Sequence, residues 1–508
     1  MDSIWGIMKE NERIVGAAAV TVNNMVLSII IATEGGAPLR KTLIKISNRN
    51  IPVVIISKTL LVGDAYYDLL GDYMVSYILL PLKILYDRGF LRKTVVDTRR
   101  RIIDDEVSIL ASYGKILSYA LIPIEYFPLK ALSVRARLYS TIYSIVMELV
   151  NRNGVEAIRR ILRETYRDVI NFIIEKNRLV KVDEEYVRLS KRVLLEPGYK
   201  KYIPRIKEKI TPIAMSITSF LIDERSPSTG QRELPLELAK PHVLIKMKEG
   251  ILGLGDWREL VEQRYGSLRR EEKLSIVYAT EIFRVNGYRV VVKQYTSPSS
   301  IKWVLASIAS ILSKKFIVNS WERQYNEYHA SILLSTKGFP HRRVLVVDPI
   351  SAVTVFEYIE GKTIIDLAKN KHTLSKEAYR LTGELLARLH LNGIVMGDTK
   401  PDNYILTILQ GTPVIVPIDL EQVRETNSIE EKAWDIAMFV YFHGMGYSRI
   451  PHHYVELIKT FLEEYKHIMG DDTIIIEASR LRYQVPFMYI VPVHNLIQLN
   501  NILKNVSS

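Results

Sequence analysis

Cysteine is absent from the 508 residues of this chain. Disulfides, thiolate metal sites and cysteine nucleophiles are therefore excluded, and the absence is typical of an intracellular protein. The sequence also lacks an apolar run long enough to cross a bilayer, because the longest two, 17–32 and 74–86, are interrupted by Asn23, Asn24 and Lys83. Its first residues have no basic segment followed by an apolar core, so no secretory signal is predicted. We expect a cytoplasmic protein without a membrane span.

The chain has fewer acidic than basic residues. The chain has 69 Lys and Arg against 56 Asp and Glu, which gives a formal net charge of +13. A basic surface of this kind attracts nucleic acid, ribosomes or nucleotide phosphates. A solvated, ion-paired surface of a thermophile protein would have the same composition, and both interpretations stay open. The length predicts two or three folded domains.

A polar run with proline and glycine, 223–232, is the clearest boundary signal in the chain. We predict an α+β protein, with short strands at 26–31 and 51–57 in a mostly helical N-terminal region. The helical spacing that supports this description occurs at 73–91, 107–121 and 134–150. The predicted domains are an N-terminal region at 1–222, a linker at 223–239 and a two-lobed domain with lobes at 240–360 and 361–508.

Residues 138–190 have the outline of a winged helix. Helical spacing is followed by two short apolar runs that flank Asp183-Glu184-Glu185, as in a hairpin. Arg159, Arg163 and Arg167 fall four residues apart on one helix face, where they could contact phosphates. An exposed basic face without a ligand is the alternative interpretation.

One constellation in the C-terminal third predicts chemistry. The sequence there is Met396-Gly397-Asp398-Thr399-Lys400-Pro401-Asp402-Asn403. In phosphoryl transfer, an aspartate takes the proton of the attacking hydroxyl, a lysine meets the charge of the γ-phosphate, and an asparagine holds a metal ion. Asp398, Lys400 and Asn403 have the spacing for these three roles.

Other segments supply the remaining parts of such a site. Lys293 ends the strand pattern Val290-Val291-Val292, where it can grip the α- and β-phosphates of ATP. A carboxylate from the next helix should orient this lysine, and we choose Glu327 over Glu322. Asp419 ends a second apolar run and, together with Asn403, gives two oxygen ligands for Mg²⁺.

The segments that would contact adenine and cover the phosphates carry weaker sequence signals. Glu357 closes an apolar run and begins a predicted hinge whose backbone groups would bind adenine. A charged segment at 269–273 precedes the next strand, and we expect Ser275 to donate a hydrogen bond to phosphate there. Three glycines within 250–255 are the alternative location for a phosphate-covering loop.

These motifs together resemble the protein-kinase-like superfamily over roughly the C-terminal half of the chain. The sequence around Gly397-Asp398 is most similar to that of atypical archaeal Ser/Thr kinases of the branch containing the RIO kinases and the KEOPS-complex kinase. Two departures stand out, namely Met396 where histidine is usual and Asp419-Leu420-Glu421 in place of Asp-Phe-Gly. The resemblance implies that Asp435 braces the catalytic loop. The residues that match family positions are Lys293, Glu327, Asp398, Lys400, Asn403 and Asp419.

The resulting hypothesis is an ATP- and Mg²⁺-dependent kinase, with Ser or Thr of a protein, including this chain itself, as the acceptor. One alternative is a nucleic-acid- or ribosome-binding scaffold in which the kinase domain serves as an ATPase switch. A small-molecule kinase is the other alternative.

Overall fold

A computed structural model of the protein describes residues 13–22, 25–35, 39–46, 49–196, 233–273, 279–295, 316–317 and 319–507. The chain divides into two compact units, Met1–Met247 and Lys248–Ser508. Of the described residues, 51% are helical and 23% lie in strands, which confirms the predicted α+β class. The predicted linker at 223–239 lies outside the described residues up to position 232.

The N-terminal unit begins with a five-stranded sheet whose order is β3-β4-β2-β1-β5. Strands β2 and β4 pair in parallel, and the other pairs are antiparallel. Strand β1 is almost entirely buried, as its continuous apolar sequence requires of a central strand. The elements up to this sheet's last strand are β1 (Ile14–Val22), β2 (Met25–Thr33), β3 (Leu39–Ile46), β4 (Arg49–Ser57), α1 (Lys58–Tyr67), α2 (Tyr73–Leu79) and β5 (Leu82–Asp87).

Two of these five strands, β2 and β4, were predicted from the sequence. The helix predicted at 73–91 is wrong, because α2 ends at Leu79 and the chain then forms β5. Pro81 separates the two elements, and proline cannot continue a helix. The description of the N-terminal region as mostly helical therefore fails for its first part and applies only after β5.

The rest of the N-terminal unit is helical apart from a small sheet. Helix α5 is kinked at Gly154, whose φ is 76°, and the hairpin β7–β8 follows it. Strand β6 completes this sheet, whose order is β6-β8-β7. The elements are α3 (Leu91–Ala111), β6 (Ile122–Pro123), α4 (Tyr126–Leu138), α5 (Ser140–Glu175), β7 (Leu179–Lys181), β8 (Tyr186–Leu189), α6 (Lys191–Leu194) and α7 (Leu236–Ala239), with 3-10 turns at Lys115–Tyr119 and Pro241–Leu244.

The predicted row of arginines on α5 has a structural role at two of its three positions. Arg159 Nη2 and Arg163 Nη2 each lie 2.9 Å from Oε1 of Glu125, whose side chain is fully buried. Arg167 is exposed, and the exposed turn of the following hairpin, 183–185, is acidic. Arg159 and Arg163 therefore neutralise Glu125, whereas the sequence alone had suggested that they could contact phosphates.

The C-terminal unit begins with a six-stranded sheet of order β10-β11-β12-β14-β13-β9. Its long strands pair antiparallel, and β9 joins β13 in parallel. Helix α9 begins after Asn319, whose side chain accepts hydrogen bonds from the first backbone N–H groups of the helix. The elements are β9 (Ile251–Leu252), α8 (Trp257–Tyr265), β10 (Leu268–Lys273), β11 (Ala279–Val285), β12 (Tyr288–Gln294), α9 (Ser320–Thr336), β13 (Val344–Asp348) and β14 (Val353–Glu357).

The following part of this unit is mainly helical and surrounds a large apolar core. Helices α11 and α13 pack closely at Gly383, where an added Cβ would lie 2.4 Å from the carbonyl oxygen of Phe461. The elements are β15 (Lys362–Thr363), α10 (Ile364–Lys369), α11 (Ser375–Leu391), β16 (Ile394–Val395), β17 (Tyr404–Leu409), β18 (Thr412–Pro417), β19 (Arg424–Glu425), α12 (Ile429–Phe442), α13 (His452–Met469), α14 (Thr473–Ala478), α15 (Leu481–Gln484) and α16 (Val493–Ser507), with 3-10 turns at Pro401–Asn403 and Val485–Phe487.

No helix among the described residues has both the length and the apolar character needed to cross a membrane.

Candidate functional site

The loop that carries Asp398 joins β16 to a 3-10 turn and is held in place by Asp435 of α12. The Asp435 carboxylate accepts hydrogen bonds from the backbone N–H groups of Met396, at 2.6 Å, and Gly397, at 2.7 Å. Gly397 has a φ of 76° and lies against Gln422, whose carbonyl oxygen would be 2.7 Å from an added Cβ. The prediction that Asp435 braces this loop is therefore confirmed.

Asp398 has one paired and one unpaired carboxylate oxygen. Its Oδ2 lies 2.9 Å from Nζ of Lys400. Its Oδ1 is buried, and no donor in the described part of the chain reaches it. The backbone oxygen of Asp398 accepts a hydrogen bond from Nδ2 of Asn403 at 2.8 Å. The loop is thus fixed in place, while one carboxylate oxygen retains its capacity to accept a hydrogen bond.

Asn403 and Asp419 both lie at the open end of the β17–β18 hairpin, where Asn403 directly precedes β17 and Asp419 follows β18 by two residues. Tyr404 pairs with Pro417 at this end, and the backbone N–H of Ile418 donates to the carbonyl oxygen of Asn403 at 3.0 Å. Since the Asn403 amide nitrogen is bound to the loop, its amide oxygen is the atom that can serve as a ligand. An amide oxygen beside a carboxylate fits the oxygen ligands that Mg²⁺ prefers.

Lys293 of β12 lies at the centre of a buried cluster of charges. Its Nζ is 2.7 Å from Oε2 of Glu327, 2.9 Å from Oδ1 of Asp419 and 2.8 Å from Oε1 of Glu421. The Lys293 side chain is only 9% exposed, so these contacts are made in a largely dehydrated environment. The predicted pair of Lys293 and Glu327 is present, and Asp419 joins it directly.

The surrounding charges decide the protonation of this lysine. Burial alone would lower the pKa of Lys293, but Asp419, Glu327 and Glu421 outweigh it and raise the pKa well above its usual value. Tyr295 adds a hydrogen bond from its hydroxyl to Oε2 of Glu327 at 2.7 Å. Lys293 is therefore a fixed positive charge at neutral pH.

Sequence reasoning missed two members of this cluster, Glu421 and Arg323. Nε of Arg323 lies 2.5 Å from Oε2 of Glu421, and its Nη2 lies 2.8 Å from Oε1. A spacing signal was present for Arg323, which is one helical turn before Glu327 on α9 and so shares a face with it. No such signal was present for Glu421, which lies in a turn after β18.

The three carboxylates around Lys293 also form the one group of acidic or histidine side chains, among the described residues, whose ligand atoms could reach a common metal ion. The ligand atoms of Glu327, Asp419 and Glu421 all lie within 4.8 Å of one another. Nζ of Lys293 lies between them at hydrogen-bonding distance. The ammonium group of Lys293 is therefore the cation that these three carboxylates already share.

Asp398, Lys400 and Asp419 line one open cavity of about 210 Å³ together with Glu421 and Gln422. Helix α12, Phe316, Met445 and the segment after α15 form the remaining wall, whose side chains are apolar apart from the indole nitrogen of Trp434. The structure thus places the carboxylates of Asp398, Asp419 and Glu421 and the ammonium group of one lysine, Lys400, around a common space. The other lining residues are Phe316, Trp434, Met438, Phe442, Met445, Pro486, Phe487 and Ile490.

Lys293 and Glu327 belong to the charge cluster but do not line the cavity, and Glu357 belongs to neither. The exposed Glu357 side chain at the end of β14 lies 3.8 Å from Nε of Arg343 and does not line the cavity. Its backbone N–H is engaged with the carbonyl oxygen of Arg343 at 2.9 Å. Ser275 lies outside the described residues.

No protein-family model matches the chain, and no curated protein matches it in sequence.

Proposed function

We propose that the C-terminal unit is a two-lobed, kinase-like domain that transfers the γ-phosphoryl group of ATP to a hydroxyl group in a Mg²⁺-dependent reaction. The observation that carries this proposal is the grouping of Asp398, Lys400 and Asp419 around one cavity, with Oδ1 of Asp398 buried and without a donor among the described residues. A buried acceptor without a donor is costly unless a ligand supplies the donor. An acceptor hydroxyl would supply it and would be oriented for attack.

Asp398 and Lys400 have complementary roles in this reaction. Oδ1 of Asp398 accepts the hydrogen bond of the attacking hydroxyl and takes its proton as the new O–P bond forms. Lys400, 2.9 Å from Oδ2, keeps this carboxylate in position and offers positive charge to the phosphoryl group in transfer. The hydrogen bond from Asn403 to the loop backbone maintains this geometry.

Lys293 is the residue that contacts the α- and β-phosphates, and Glu327 orients it. ATP phosphates must compete with Asp419 and Glu421 for Nζ of Lys293, because both carboxylates contact it at 2.9 and 2.8 Å. Asn403 and Asp419 would hold Mg²⁺, which supplies charge neutralisation to the phosphates when it is bound. Asp419 would then exchange its lysine partner for the metal ion, whereas Glu421 would keep its contact with Arg323.

The helix–hairpin element of the N-terminal unit supports a winged-helix form. Its sheet has the order β6-β8-β7, with helices between β6 and the hairpin. Nucleic-acid or ribosome binding through this element has less support, since Arg159 and Arg163 neutralise Glu125 and the hairpin turn is acidic. The scaffold hypothesis therefore rests on net charge.

The test is incubation of the full-length protein with γ-labelled ATP and Mg²⁺, alone and with a generic basic protein. Asp398→Ala and Asp419→Ala are compared with wild type for product formation, and ATP binding is measured in parallel by calorimetry. We expect labelled product from wild type and none from either variant, with ATP still bound by Asp398→Ala. Wild-type protein that neither binds nor turns over ATP would overturn the proposal, as would full activity in Asp398→Ala.

A further inference from the structure

We infer that the acceptor is an alcohol with an uncharged, apolar body that fills the cavity beside Asp398. This inference rests on the proposed function and specifies its substrate class. It favours the small-molecule alternative over a protein Ser or Thr.

The first support is the separation of polar and apolar groups in the cavity. The charged side chains Asp398, Lys400, Asp419 and Glu421 are joined on the apolar side by aromatic rings, methionines, a proline and an isoleucine. The side-chain amide of Gln422 is already engaged by the backbone of Ile317 at 2.9 and 3.0 Å.

The indole of Trp434 also has a partner, because its Nε1 donates to the carbonyl oxygen of Gly397 at 3.0 Å. The apolar wall therefore presents no polar group that would recognise the several hydroxyls of a sugar or polyol. Burial of hydroxyls without partners is costly.

The second support is the single carboxylate oxygen without a donor among the residues at the polar end of the cavity. Only the Oδ1 atom of Asp398 is both buried and without a donor among the described atoms of the residues that line this cavity. One hydroxyl group satisfies it. A ligand with one hydroxyl and an apolar remainder therefore matches both ends of the cavity.

The size of the cavity limits the apolar body. A volume of about 210 Å³ compares with about 150 Å³ for an apolar protein cavity that binds benzene. A body of roughly ten carbon atoms, such as one ring with a short chain, fits this space.

The cavity also has an apolar edge. Ile490 both lines it and is 51% exposed, and the neighbouring Tyr489 is 81% exposed. A longer apolar chain could continue over this edge.

The reaction is balanced by the groups already assigned. The hydroxyl oxygen of the acceptor forms a bond to the γ-phosphorus of ATP, and the bond between this phosphorus and the β–γ bridging oxygen breaks. Asp398 receives the hydroxyl proton and returns it to solvent, ADP leaves, and the product is a phosphate monoester of the alcohol. No further reactant is needed.

The test compares 3-phenylpropan-1-ol with glycerol and with a Ser-containing basic peptide. Phosphorylated products are measured by mass spectrometry after incubation with ATP and Mg²⁺. Binding of each alcohol in the absence of ATP is measured separately by ligand-observed NMR. We expect a phosphate ester of 3-phenylpropan-1-ol formed with kcat/KM at least about tenfold above that for glycerol. We also expect saturable binding of the aromatic alcohol alone.

A matched pair of variants tests the location. Ile490→Trp places a larger side chain at the cavity edge, and Ile497→Trp makes the same change on α16 at a residue that is 55% exposed and does not line the cavity. Because both positions are about half exposed, both variants should fold. Ile490→Trp should raise KM for 3-phenylpropan-1-ol by about tenfold and leave ATP binding unchanged, whereas Ile497→Trp should resemble wild type.

Several results would overturn the inference while leaving the proposed function intact. These are Asp398-dependent phosphorylation of glycerol as efficient as that of the aromatic alcohol, phosphorylation of the peptide alone, or equal KM values in the two tryptophan variants. Failure of the proposed function has a different signature, since ATP binding is then absent. In that case NMR still decides whether the cavity binds the aromatic alcohol.

Discussion

The N-terminal and C-terminal units each bury a glutamate that bridges two cationic side chains. In the N-terminal unit, Glu125 contacts Arg159 and Arg163, and its side chain has no exposed surface. In the C-terminal unit, Glu327 contacts Lys293 at 2.7 Å and Arg342 at 3.4 Å, and its side chain is 1% exposed. By burial and pairing alone, the two clusters are equivalent.

They differ in what lies beyond the first ion pair. The arginines of the N-terminal cluster continue to the exposed carboxylates of Glu156 and Glu185, so every charge ends in a partner near solvent. Lys293 of the C-terminal cluster continues to Asp419, which lines a cavity with Asp398 and its unpaired oxygen. A buried ion pair therefore gives no indication of function by itself, whereas an unpaired acceptor on a residue that lines a cavity does.

The largest effect is expected at that acceptor. Asp398→Asn keeps the shape of the side chain but removes the base, and we expect kcat for phosphoryl transfer to fall by about 10³-fold. Asp402→Asn, an exposed neighbour on the same loop, is the matched control and should retain wild-type kcat. Steady-state kinetics with γ-labelled ATP measure both. A kcat for Asp398→Asn above a tenth of the wild-type value would show that the unpaired oxygen has no catalytic role.

A substitution in the N-terminal cluster should instead change the stability of the protein. Glu125→Ala leaves two arginines near 15 to 20% exposure without their buried partner, and we expect the free energy of unfolding to fall by about 3 kcal/mol. Glu156→Ala removes a partner of Arg159 that is 75% exposed and should have no measurable effect. Urea unfolding followed by circular dichroism tests both variants. The comparison fails if Glu125→Ala reduces phosphoryl transfer in fully folded protein.

Within the C-terminal cluster, substitution of the two glutamates that contact the same lysine should have opposite effects on ATP binding. Glu327→Gln removes the charge that orients Lys293 and should weaken ATP binding by about tenfold. Glu421→Gln removes a negative charge 2.8 Å from Nζ, at the place where phosphates must bind, and should strengthen ATP binding by about threefold. Titration calorimetry with ATP and Mg²⁺ measures the two dissociation constants. A shift of both variants in the same direction would contradict the competition between Glu421 and phosphate.

The parts of the site that the sequence predicted are those set by local spacing. Asp398, Lys400 and Asn403 lie within one loop, and the bracing residue Asp435 follows on the first long helix after it. The role of Glu421 depends instead on Lys293 and on Arg323, a residue 98 positions away in the chain. Only folding brings these side chains together, which is why the sequence suggested a missing glycine at this position and not a third ligand of the lysine.

The same limit applies to the fold and the cavity. Strand β5 was taken for helix because its six residues carry no decisive period, and its identity comes from pairing with the distant β1. The apolar wall of the cavity combines residues from Phe316 to Ile490 that share no local pattern. Hydrogen bonding at a hinge uses backbone groups, so the identity of Glu357 carried little information about nucleotide binding.

The smallest expected effect is a pH dependence of stability that distinguishes the C-terminal unit from the N-terminal unit. Burial lowers the pKa of His443, on the C-terminal side of α12, to about 4. Its Nδ1 lies 2.8 Å from the carbonyl oxygen of Phe439, which can only accept, so Nδ1 donates and Nε2 accepts from the hydroxyl of Tyr379 at 2.7 Å. The folded ring is therefore neutral at pH values where the unfolded chain, with a pKa of 6.5, already binds a proton.

The unfolded state consequently binds more protons between pH 6.5 and about 4, and the stability of the C-terminal unit is lost as pH falls through this window. We expect a loss of about 1 kcal/mol between about pH 7 and pH 5.5 from this residue. Urea unfolding at both pH values should show the loss in wild type and in His467→Gln, an exposed control on α13, but not in His443→Gln. An equal pH dependence in all three proteins would mean that the buried histidine is not the source. The N-terminal unit, whose one histidine is His242, provides the internal reference, because its own transition should not change when His443 is replaced.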